Sequence, residues 1–440
     1  MNDELFSRRA LLRAGAFAGG TAALSQLPFA PLLGRRALSP DSVWPTVNAM
    51  IQRYVKDGKV PGMIAALGFG TGAPAFVGAG REGFDDPDAA GPASLFRAYS
   101  QTKPVTGMAA MILISEGKLK LDQPIADFAP EFANMKVAID PDKSLDARPA
   151  KTLITVRHLL THTSGLGYAG IGKNKAITRE LDRLGLRPAI VTDLPIPGLG
   201  GGPATPGPDE FLRRTASVPL CFEPGAAWRY SMSLDVLGLI IQRAAGAKSF
   251  GQFVHDRLLG PLGMEDSFFQ VPANEVPHLT TNYGVSAKAK PFAIDGAKTS
   301  IYLKPTPFAF GGSGLVTSPA DYDRFMAMIV NAGQHRGKRV MSAAAVRLGT
   351  SNLLPAGADL SGTWIAGRQF GAGGSVGIGA EEGTYGWSGA AGTIGYCNVR
   401  TGLRSGLYVQ YMPSDTYPIF DEFAAAVAVD AAHHGRGHHG

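Results

Sequence analysis

The hydrophobic pattern of the first hundred residues predicts a helix followed by a hairpin. Apolar residues recur at helical spacing from Val43 to Val55, so residues 42–57 would place one helix face on a core. Two mostly apolar runs, 62–69 and 74–80, follow and are separated by glycines and threonine that favour a turn. The predicted order at this end of the chain is therefore helix, strand, strand.

The other end of the chain shows the same elements in reverse order. Residues 393–400 and 405–412 alternate like strands, and residues 419–432 carry Ala, Val and Phe in a helical pattern. Strands from both chain ends can share one sheet when the chain between them forms a separate unit. We therefore expect an α/β (α+β) fold, with an antiparallel sheet flanked by the terminal helices.

Between the two ends the pattern is mainly helical. A short strand at 94–99 leads into a helix that starts near Ser100 and stops at 116–117, and further helices are predicted at 155–160, 234–244 and 250–259. We expect a sheet domain made of residues 37–125 and 295–432, with an all-helical domain inserted at 126–294. Residues 433–440 are expected to form a disordered tail.

One long segment, residues 186–209, is rich in proline and glycine. A loop of this length inside a compact protein is usually functional or disordered. Its sequence is compatible with a wall of a cleft and equally with a disordered insertion, so both interpretations stay open.

Composition and charge exclude several classes of protein. Among 440 residues, 45% are hydrophobic and 18% charged, which is typical of a globular chain with a large core. Five arginines and two acidic residues lie in the first 36 positions, so this segment carries half of the net charge of +6. The rest of the chain is too weakly basic for a nucleic-acid-binding surface.

The first 36 residues resemble a twin-arginine export signal. Arg8 and Arg9 precede an Ala, Gly and Leu-rich run at 14–27, which is too short and glycine-rich to span a membrane. Residues 28–30 are a poor cleavage site. We expect a periplasmic or exported protein. The alternative is a cytoplasmic protein whose first residues form a frayed amphipathic helix.

Ser100 and Lys103 are the first residues that predict chemistry. Residues three apart share a helix face, so the Lys103 amine can lie beside the Ser100 hydroxyl and activate it as a nucleophile. At a helix start, backbone N–H groups can also stabilise an oxyanion. Alone, the Ser-x-x-Lys pattern also fits a helix-capping serine followed by a solvent-facing lysine.

Four further segments change that interpretation. They lie at 157–166, 230–232, 311–319 and 386–393. Together with the Ser-x-x-Lys pattern and in this order, they resemble the serine β-lactamase and penicillin-binding-protein superfamily. The resemblance is closest to the family VIII carboxylesterases, which are similar to class C β-lactamases, and covers roughly residues 40–425.

The resemblance implies roles for individual residues. Ser100 would be the acylated nucleophile, Lys103 the group that lowers its proton affinity, and Tyr230 the residue that passes the proton to the leaving group. The backbone N–H groups of Ser100 and Ala390 would form the oxyanion hole. A free phenol ionises only near pH 10, and an adjacent cation favours the phenolate. Which of Lys103 and Tyr230 is the resting base stays open.

Two departures from the superfamily pattern indicate the substrate. Met232 stands where Tyr-x-Asn motifs have asparagine, so an amide that would hold a substrate's acylamino group is missing. Trp387, Ser388 and Gly389 stand where Lys-Thr-Gly is usual, so an indole replaces a cation that would bind a carboxylate. We expect these four residues to bind neutral, short-to-medium acyl groups, and we predict ester hydrolysis.

Other functions stay open beside the esterase. A β-lactamase or D-aminopeptidase-like hydrolase and an acyltransferase are compatible with the same fold. So is a non-catalytic binding or sensor domain that is acylated without turnover, although a pure binder needs no proton shuttle. An α/β-hydrolase elbow at 386–390, with Asp415 or Asp421 and His433, lacks its final glycine.

No metal or organic cofactor is implied. His158 and His162 share a helix face, but no acidic residue lies between them, so a structural role is expected. The two cysteines, Cys221 and Cys397, permit at most one disulfide. The expected partner is a small-molecule ester, with no nucleic acid and no membrane span beyond the signal segment; the physiological ester and the oligomeric state are not indicated.

Overall fold

The computed structural model describes residues 40–436, except 170–173, 188–190, 197–199, 201–202 and 287–288. The helices are α1 Pro40–Val43, α2 Pro45–Lys56, α3 Thr102–Ser115, α4 Val156–Leu160, α5 Lys175–Arg183, α6 Pro208–Ser217, α7 Ser233–Ala245, α8 Phe250–Val254, α9 Gly260–Leu262, α10 Pro319–Val330, α11 Ala343–Gly349 and α12 Ile419–Arg436. The predicted export segment, residues 1–36, lies outside the described residues.

The strands are short except near the chain ends. They are β1 Gly62–Phe69, β2 Ala75–Gly80, β3 Phe96–Arg97, β4 Lys136–Ala138, β5 Ala147–Pro149, β6 Asn282–Ser286, β7 Ala289–Asp295, β8 Val316–Thr317, β9 Gln334–His335, β10 Lys338–Arg339, β11 Gln369–Phe370, β12 Ser375–Val376, β13 Thr384–Ser388, β14 Ile394–Asn398, β15 Leu403–Tyr408 and β16 Tyr411–Met412.

The main sheet combines both ends of the chain. Its seven strands follow the order β11-β12-β13-β14-β15-β1-β2, and every neighbouring pair is antiparallel. The joint between the ends is the β1–β15 pair, in which Ile64 lies opposite Tyr408. The predicted α/β fold with an antiparallel sheet flanked by terminal helices is therefore confirmed.

Helices cover both faces of this sheet, and β1 shows why it is apolar on both sides. Met63 and Leu67 point into a core shared with α2 and α12, whereas Ile64 and Ala66 point into the core that contains α3 and α10. Successive side chains of a strand face opposite sides of the sheet. The carboxylate of Asp430 on α12 accepts hydrogen bonds from the first N–H groups of α2 and ties the terminal helices together.

The inserted range, residues 126–294, packs against α3. Its helices α4, α6 and α7 bury their apolar faces in the same core as α3. The 126–294 range also contains two hairpins, β4–β5 and β6–β7, and β6 pairs in parallel with β16. The expectation of an all-helical insertion is therefore wrong: the range is helix-rich but contains paired strands, and its last hairpin lies beside the C-terminal strand of the sheet domain.

A buried ion pair fixes the chain just before the predicted nucleophile. Arg97 of β3 donates to Asp295 at 2.5 Å and to the carbonyl of Thr280 at 2.5 Å, and both ion-pair side chains are buried. A buried charge pair with further hydrogen bonds holds its elements in one arrangement, because separating it would leave an unpaired charge. β3 is thus anchored three residues upstream of Ser100.

The C-terminal helix is longer than the sequence predicts. α12 continues through His433 to Arg436, so the first half of the predicted disordered tail is helical and the prediction is wrong there; residues 437–440 lie outside the described part. Both cysteines, Cys221 and Cys397, are free thiols. None of the described helices is long and apolar enough to cross a membrane.

Candidate active site

The chain delivers Ser100 on a strained turn between β3 and α3. Tyr99 has a φ of 44°, a left-handed conformation that is uncommon for a bulky residue. It opens a one-turn 3-10 helix, Tyr99–Gln101, and α3 continues from Thr102. Ser100 therefore stands at the N-terminal end of a long buried helix and is partly exposed.

Lys103 occupies the first turn of α3 and is fully buried. Its Nζ donates to the Oγ of Ser100 at 3.1 Å and to the carbonyl oxygen of Gly312 at 2.7 Å. The i, i+3 spacing read from the sequence thus brings the amine to the hydroxyl. Gly312 belongs to the Gly-Gly-Ser-Gly segment that precedes β8.

Tyr230 reaches the same hydroxyl from another part of the chain. Its phenol oxygen donates to the Oγ of Ser100 at 2.5 Å, and the Nζ of Lys103 lies 4.5 Å from the centroid of its ring. A cation over an aromatic face is electrostatically favourable. The three side chains that the sequence proposes as catalytic therefore converge on one atom.

The third motif lies against the backbone beside Ser100. The hydroxyl of Thr393 donates to the carbonyl of Ala98 at 3.1 Å, and a Cβ on Gly389 would lie only 2.2 Å from that oxygen. Ala390 packs in the same small cluster as Tyr99. An oxyanion hole for Ser100 requires two backbone donors near its hydroxyl, and the role of the N–H groups of Ser100 and Ala390 as those donors stays a prediction.

Trp387 lies beneath Tyr230 in an aromatic cluster. Its ring is almost parallel to that of Tyr230 at 6.1 Å and meets Phe370 edge-on at 5.3 Å, and only 1% of it is exposed. Trp364 packs on Tyr230 at 4.9 Å and is more exposed. Ser388 is also buried. The indole thus packs against the ring of Tyr230, and its contact with substrate stays a prediction.

Met232 lies in the hydrophobic core. Its side chain is completely buried, and its sulfur accepts a hydrogen bond from Thr215 of α6 at 3.8 Å. It forms part of the core between α6 and α7. The structure does not bring this side chain to the hydroxyl of Ser100, and a role in substrate binding stays a prediction.

The two histidines of the second motif have structural contacts. His158 completes a capping box with Thr155 at the start of α4, and burial lowers its pKa to about 4. His162 is buried 4.7 Å from the ring of Tyr230 and shares a hydrogen bond of 3.0 Å with Ser231. Burial, followed by the charge of Lys103, holds its pKa well below the usual range. Both rings are therefore neutral at neutral pH.

Asp235 is a site residue that the sequence analysis missed. It lies in the first turn of α7, fully buried, and its Oδ1 accepts a hydrogen bond from the N–H of Gly312 at 2.7 Å. Burial raises its pKa to about 7, against the opposing effect of Lys103. The available signal was a single acid inside the apolar run from Leu234 to Ile241.

Part of the long proline and glycine-rich loop lies at this site. Val191 and Ile196 pack in the cluster that contains Tyr99 and Ala390, and Asp193 forms an exposed ion pair with Lys304. The loop also ends earlier than predicted, because α6 begins at Pro208. Residues 188–190, 197–199 and 201–202 of this loop lie outside the described residues.

Comparison with known proteins agrees with this arrangement. The model of the beta-lactamase family matches residues 47–434. The chain belongs to the beta-lactamase family. A relative in this family, protein Rv1367c of Mycobacterium tuberculosis, is 34% identical over 364 residues, which cover 79% of this chain and 84% of the relative. Esterase EstB of Burkholderia gladioli is 33% identical over 261 residues, covering 54% of this chain and 57% of EstB.

Solved structures show the same beta-lactamase fold. EstCE1, described as a hydrolase with promiscuous acyltransferase activity, superimposes with a TM-score of 0.70 at 22% identity, covering 88% of this chain and 99% of EstCE1. A variant of the simvastatin synthase LovD from Aspergillus terreus gives 0.69 at 20% identity, covering 90% and 100%. The family match makes this protein an enzyme of the serine hydrolase class.

The described residues contain no group of three or more His, Cys, Asp or Glu side chains arranged to hold a metal ion. The chemistry available at the site is that of a hydroxyl, an amine, a phenol and backbone N–H groups. This set is suited to acyl transfer, because it supplies a nucleophile, proton-transfer groups and oxyanion donors.

Proposed function

We propose that the protein is a serine carboxylesterase that hydrolyses neutral esters with short-to-medium acyl groups. The observation that carries the proposal is the convergence of Lys103 and Tyr230 on the Oγ of Ser100, at 3.1 and 2.5 Å. The serine hydroxyl is a weak nucleophile until a neighbouring group takes its proton. Lys103 and Tyr230 are both within hydrogen-bond reach of this hydroxyl, which is the geometric requirement for general base catalysis by one of them.

The proposed reaction has two acyl-transfer steps. The Oγ of Ser100 attacks the ester carbonyl, its proton moves to the Tyr230 and Lys103 pair, and the N–H groups of Ser100 and Ala390 stabilise the oxyanion. The tetrahedral intermediate breaks its bond to the alcohol oxygen, which leaves with that proton. Water then attacks the acyl-enzyme by the same route, and the acid and the free hydroxyl of Ser100 are released.

Two features support a neutral, partly apolar substrate. Trp387 stands where a lysine would bind a substrate carboxylate, and the esterase EstB is a relative of this chain. The acyl site that we propose is a cavity of about 130 Å³ that borders Ser313 and Gly314, with Phe269, Tyr302 and Phe310 among its walls; Ser100, Lys103 and Tyr230 do not line it.

Acyl transfer to a second alcohol is an alternative outcome of the same chemistry. Several relatives are named acyltransferases, among them calJ of Penicillium decumbens, which is 29% identical over 239 residues. Hydrolysis and transfer pass through the same acyl-enzyme. They differ in the second step, in which either water or another alcohol attacks it. The product ratio in the presence of an added alcohol distinguishes transfer from hydrolysis.

The deciding experiment compares the native enzyme with Ser100→Ala on nitrophenyl acetate and butyrate. We expect steady release of nitrophenol by the native enzyme and its loss in the variant, with unchanged thermal unfolding. Full activity of the variant would refute the assignment of the nucleophile. A single burst without turnover by the native protein would instead support an acylated binding or sensor domain.

Export by the twin-arginine route is a separate proposal that rests on Arg8, Arg9 and the apolar run behind them. Fusing residues 1–36 to a reporter that is active only after folded export tests it. Replacement of both arginines by lysine should abolish export, and unchanged export would contradict the proposal.

A further inference from the structure

Asp235 is a buried acid that the proposed reaction leaves without a role. Its side chain is fully enclosed at the start of α7, and its Oδ2 has no hydrogen-bond partner among the described residues. An ionisable group buried with an unpaired oxygen is costly for folding. The cost indicates that the carboxyl group serves the site beside it.

The main chain of Gly312 connects Asp235 to Lys103. The N–H of Gly312 donates to the Oδ1 of Asp235 at 2.7 Å, while its carbonyl oxygen accepts from the Nζ of Lys103 at 2.7 Å. A Cβ on residue 312 would lie 2.5 Å from the Oδ2 of Asp235, so a larger residue at this position would displace the carboxyl group. The acid therefore helps to fix the Gly312 carbonyl that accepts from the lysine amine.

The titratable groups around Asp235 and Lys103 belong to α3, to the segment after α4 and to the segment before α7. Lys103 faces Asp235 from α3 and lowers the pKa of the Asp235 carboxyl group, which burial raises to about 7. Tyr168, in the segment after α4, is also close, because burial and then Asp235 raise the pKa of that phenol. His162 and Tyr230 lie near Lys103, and burial keeps His162 neutral. Asp235 thus gains its negative charge around neutral pH, in the field of Lys103.

We propose that Asp235 is a positioning residue that holds Lys103 as an ammonium ion aimed at Ser100. The inference rests on the proposed esterase function. Lys103 donates to two acceptors and lies over the face of the Tyr230 ring, and all three contacts suit a cation. With the lysine cationic, Tyr230 reacts in its phenolate form: it takes the proton of Ser100, becomes a neutral phenol, and passes that proton to the leaving alcohol.

The test is the pH dependence of kcat/KM for nitrophenyl butyrate in the native enzyme and in Asp235→Asn. The asparagine oxygen can still accept from Gly312, but the negative charge is lost. Without it Lys103 releases its proton more readily, so the alkaline limb should move to lower pH by about one unit. Asp321→Asn is the matched control, because Asp321 is also a buried acid, with a pKa raised to about 6, but lies on α10.

Two results would overturn the proposal. If the pH profile of kcat/KM for Asp235→Asn has the same acidic and alkaline limbs as that of the native enzyme, whatever the rate, the charge of Asp235 has no effect on Lys103. An acidic limb that moves to lower pH, with higher activity at neutral pH, would show that Lys103 works as the neutral amine. If the native enzyme hydrolyses no ester at all, the proposed function fails independently of Asp235.

A second measurement needs neither the Asp235 variant nor activity. Infrared difference spectra of the native protein and of Lys103→Met report the protonated carboxyl groups across the neutral range. Removal of the lysine charge should move the ionisation of one buried carboxyl group to higher pH. Identical titrations in the two proteins would refute the coupling between Asp235 and Lys103.

Discussion

The phenol oxygen of Tyr230 lies 2.5 Å from the hydroxyl oxygen of Ser100, although 130 positions separate the two residues in the chain. Ser100 is held by a strained turn at the end of β3, and Tyr230 by the segment that enters α7. Helix α3, which follows Ser100, and helix α7, which follows Tyr230, pack in the same core. The packing of α3 on α7 therefore brings Tyr230 to Ser100.

Replacement of Tyr230 by phenylalanine should lower kcat/KM for nitrophenyl butyrate by about 10²–10⁴, the usual contribution of a positioned proton-transfer group. The ring would remain, so its packing on Trp364 and Trp387 and the thermal unfolding temperature should change little. Steady-state kinetics and calorimetry measure the two quantities.

Tyr417→Phe is the control for this variant. Tyr417 packs against Tyr54 and Tyr411 in the layer of the terminal helices, away from Ser100. Its activity should equal that of the native enzyme. Equal activity of Tyr230→Phe and Tyr417→Phe would contradict a catalytic role for the phenol.

The native enzyme should cleave a cephalosporin far less efficiently than nitrophenyl butyrate, because Trp387 offers no cation to the cephalosporin carboxylate. A lost hydrogen bond to a charged group is worth about 1.5–3 kcal/mol, which is about ten- to a hundredfold in rate. The methyl ester of the same cephalosporin should be hydrolysed at the lactam bond more efficiently than the acid. A preference for the acid would show that another group binds the carboxylate.

Phe269→Ala should shift the substrate preference toward longer acyl chains. Phe269 is a wall of the cavity of about 130 Å³ beside Gly314, and its truncation enlarges that space. The ratio of kcat/KM for nitrophenyl octanoate to that for butyrate should rise about tenfold, since each added buried methylene is worth about 0.8 kcal/mol. Phe84→Ala, which shortens an exposed ring, serves as the control and should leave the ratio unchanged.

His158→Gln should reduce the loss of stability at acidic pH. The pKa of His158 falls from 6.5 to about 4 in the folded state because of burial, so the unfolded chain binds a proton first. The contribution of neutral His158 to the free energy of unfolding is therefore complete above pH 6.5. About 2–3 kcal/mol of it is lost as the pH falls toward 4.

Glutamine preserves the capping box with Thr155, so the variant should fold normally. Urea unfolding at several pH values gives the free energy of unfolding of each protein. His255→Gln, which alters an exposed histidine, should follow the native curve. If His158→Gln also follows that curve, protonation of His158 in the unfolded chain does not determine acid stability.

Much of the architecture was predictable from local patterns. The strands 62–69 and 74–80 agree with β1 Gly62–Phe69 and β2 Ala75–Gly80, because an apolar run bounded by turn residues is a local signal. Strand β8 and the β6–β7 hairpin were not predicted. The pairing of β8 with β3, and of β6 with β16, depends on residues far away in the sequence.

The sequence by itself determined that the Lys103 amine can meet the Ser100 hydroxyl, because the two residues share one helix face at a fixed spacing. It also determined the family pattern that names Tyr230 and the Trp-Ser-Gly segment. Only the tertiary structure decided that Met232 lies in the core, that Trp387 lies under Tyr230, and that Asp235 reaches Lys103 through Gly312. Burial and the approach of distant backbone atoms set these three relationships, and neither quantity is encoded by spacing along the chain.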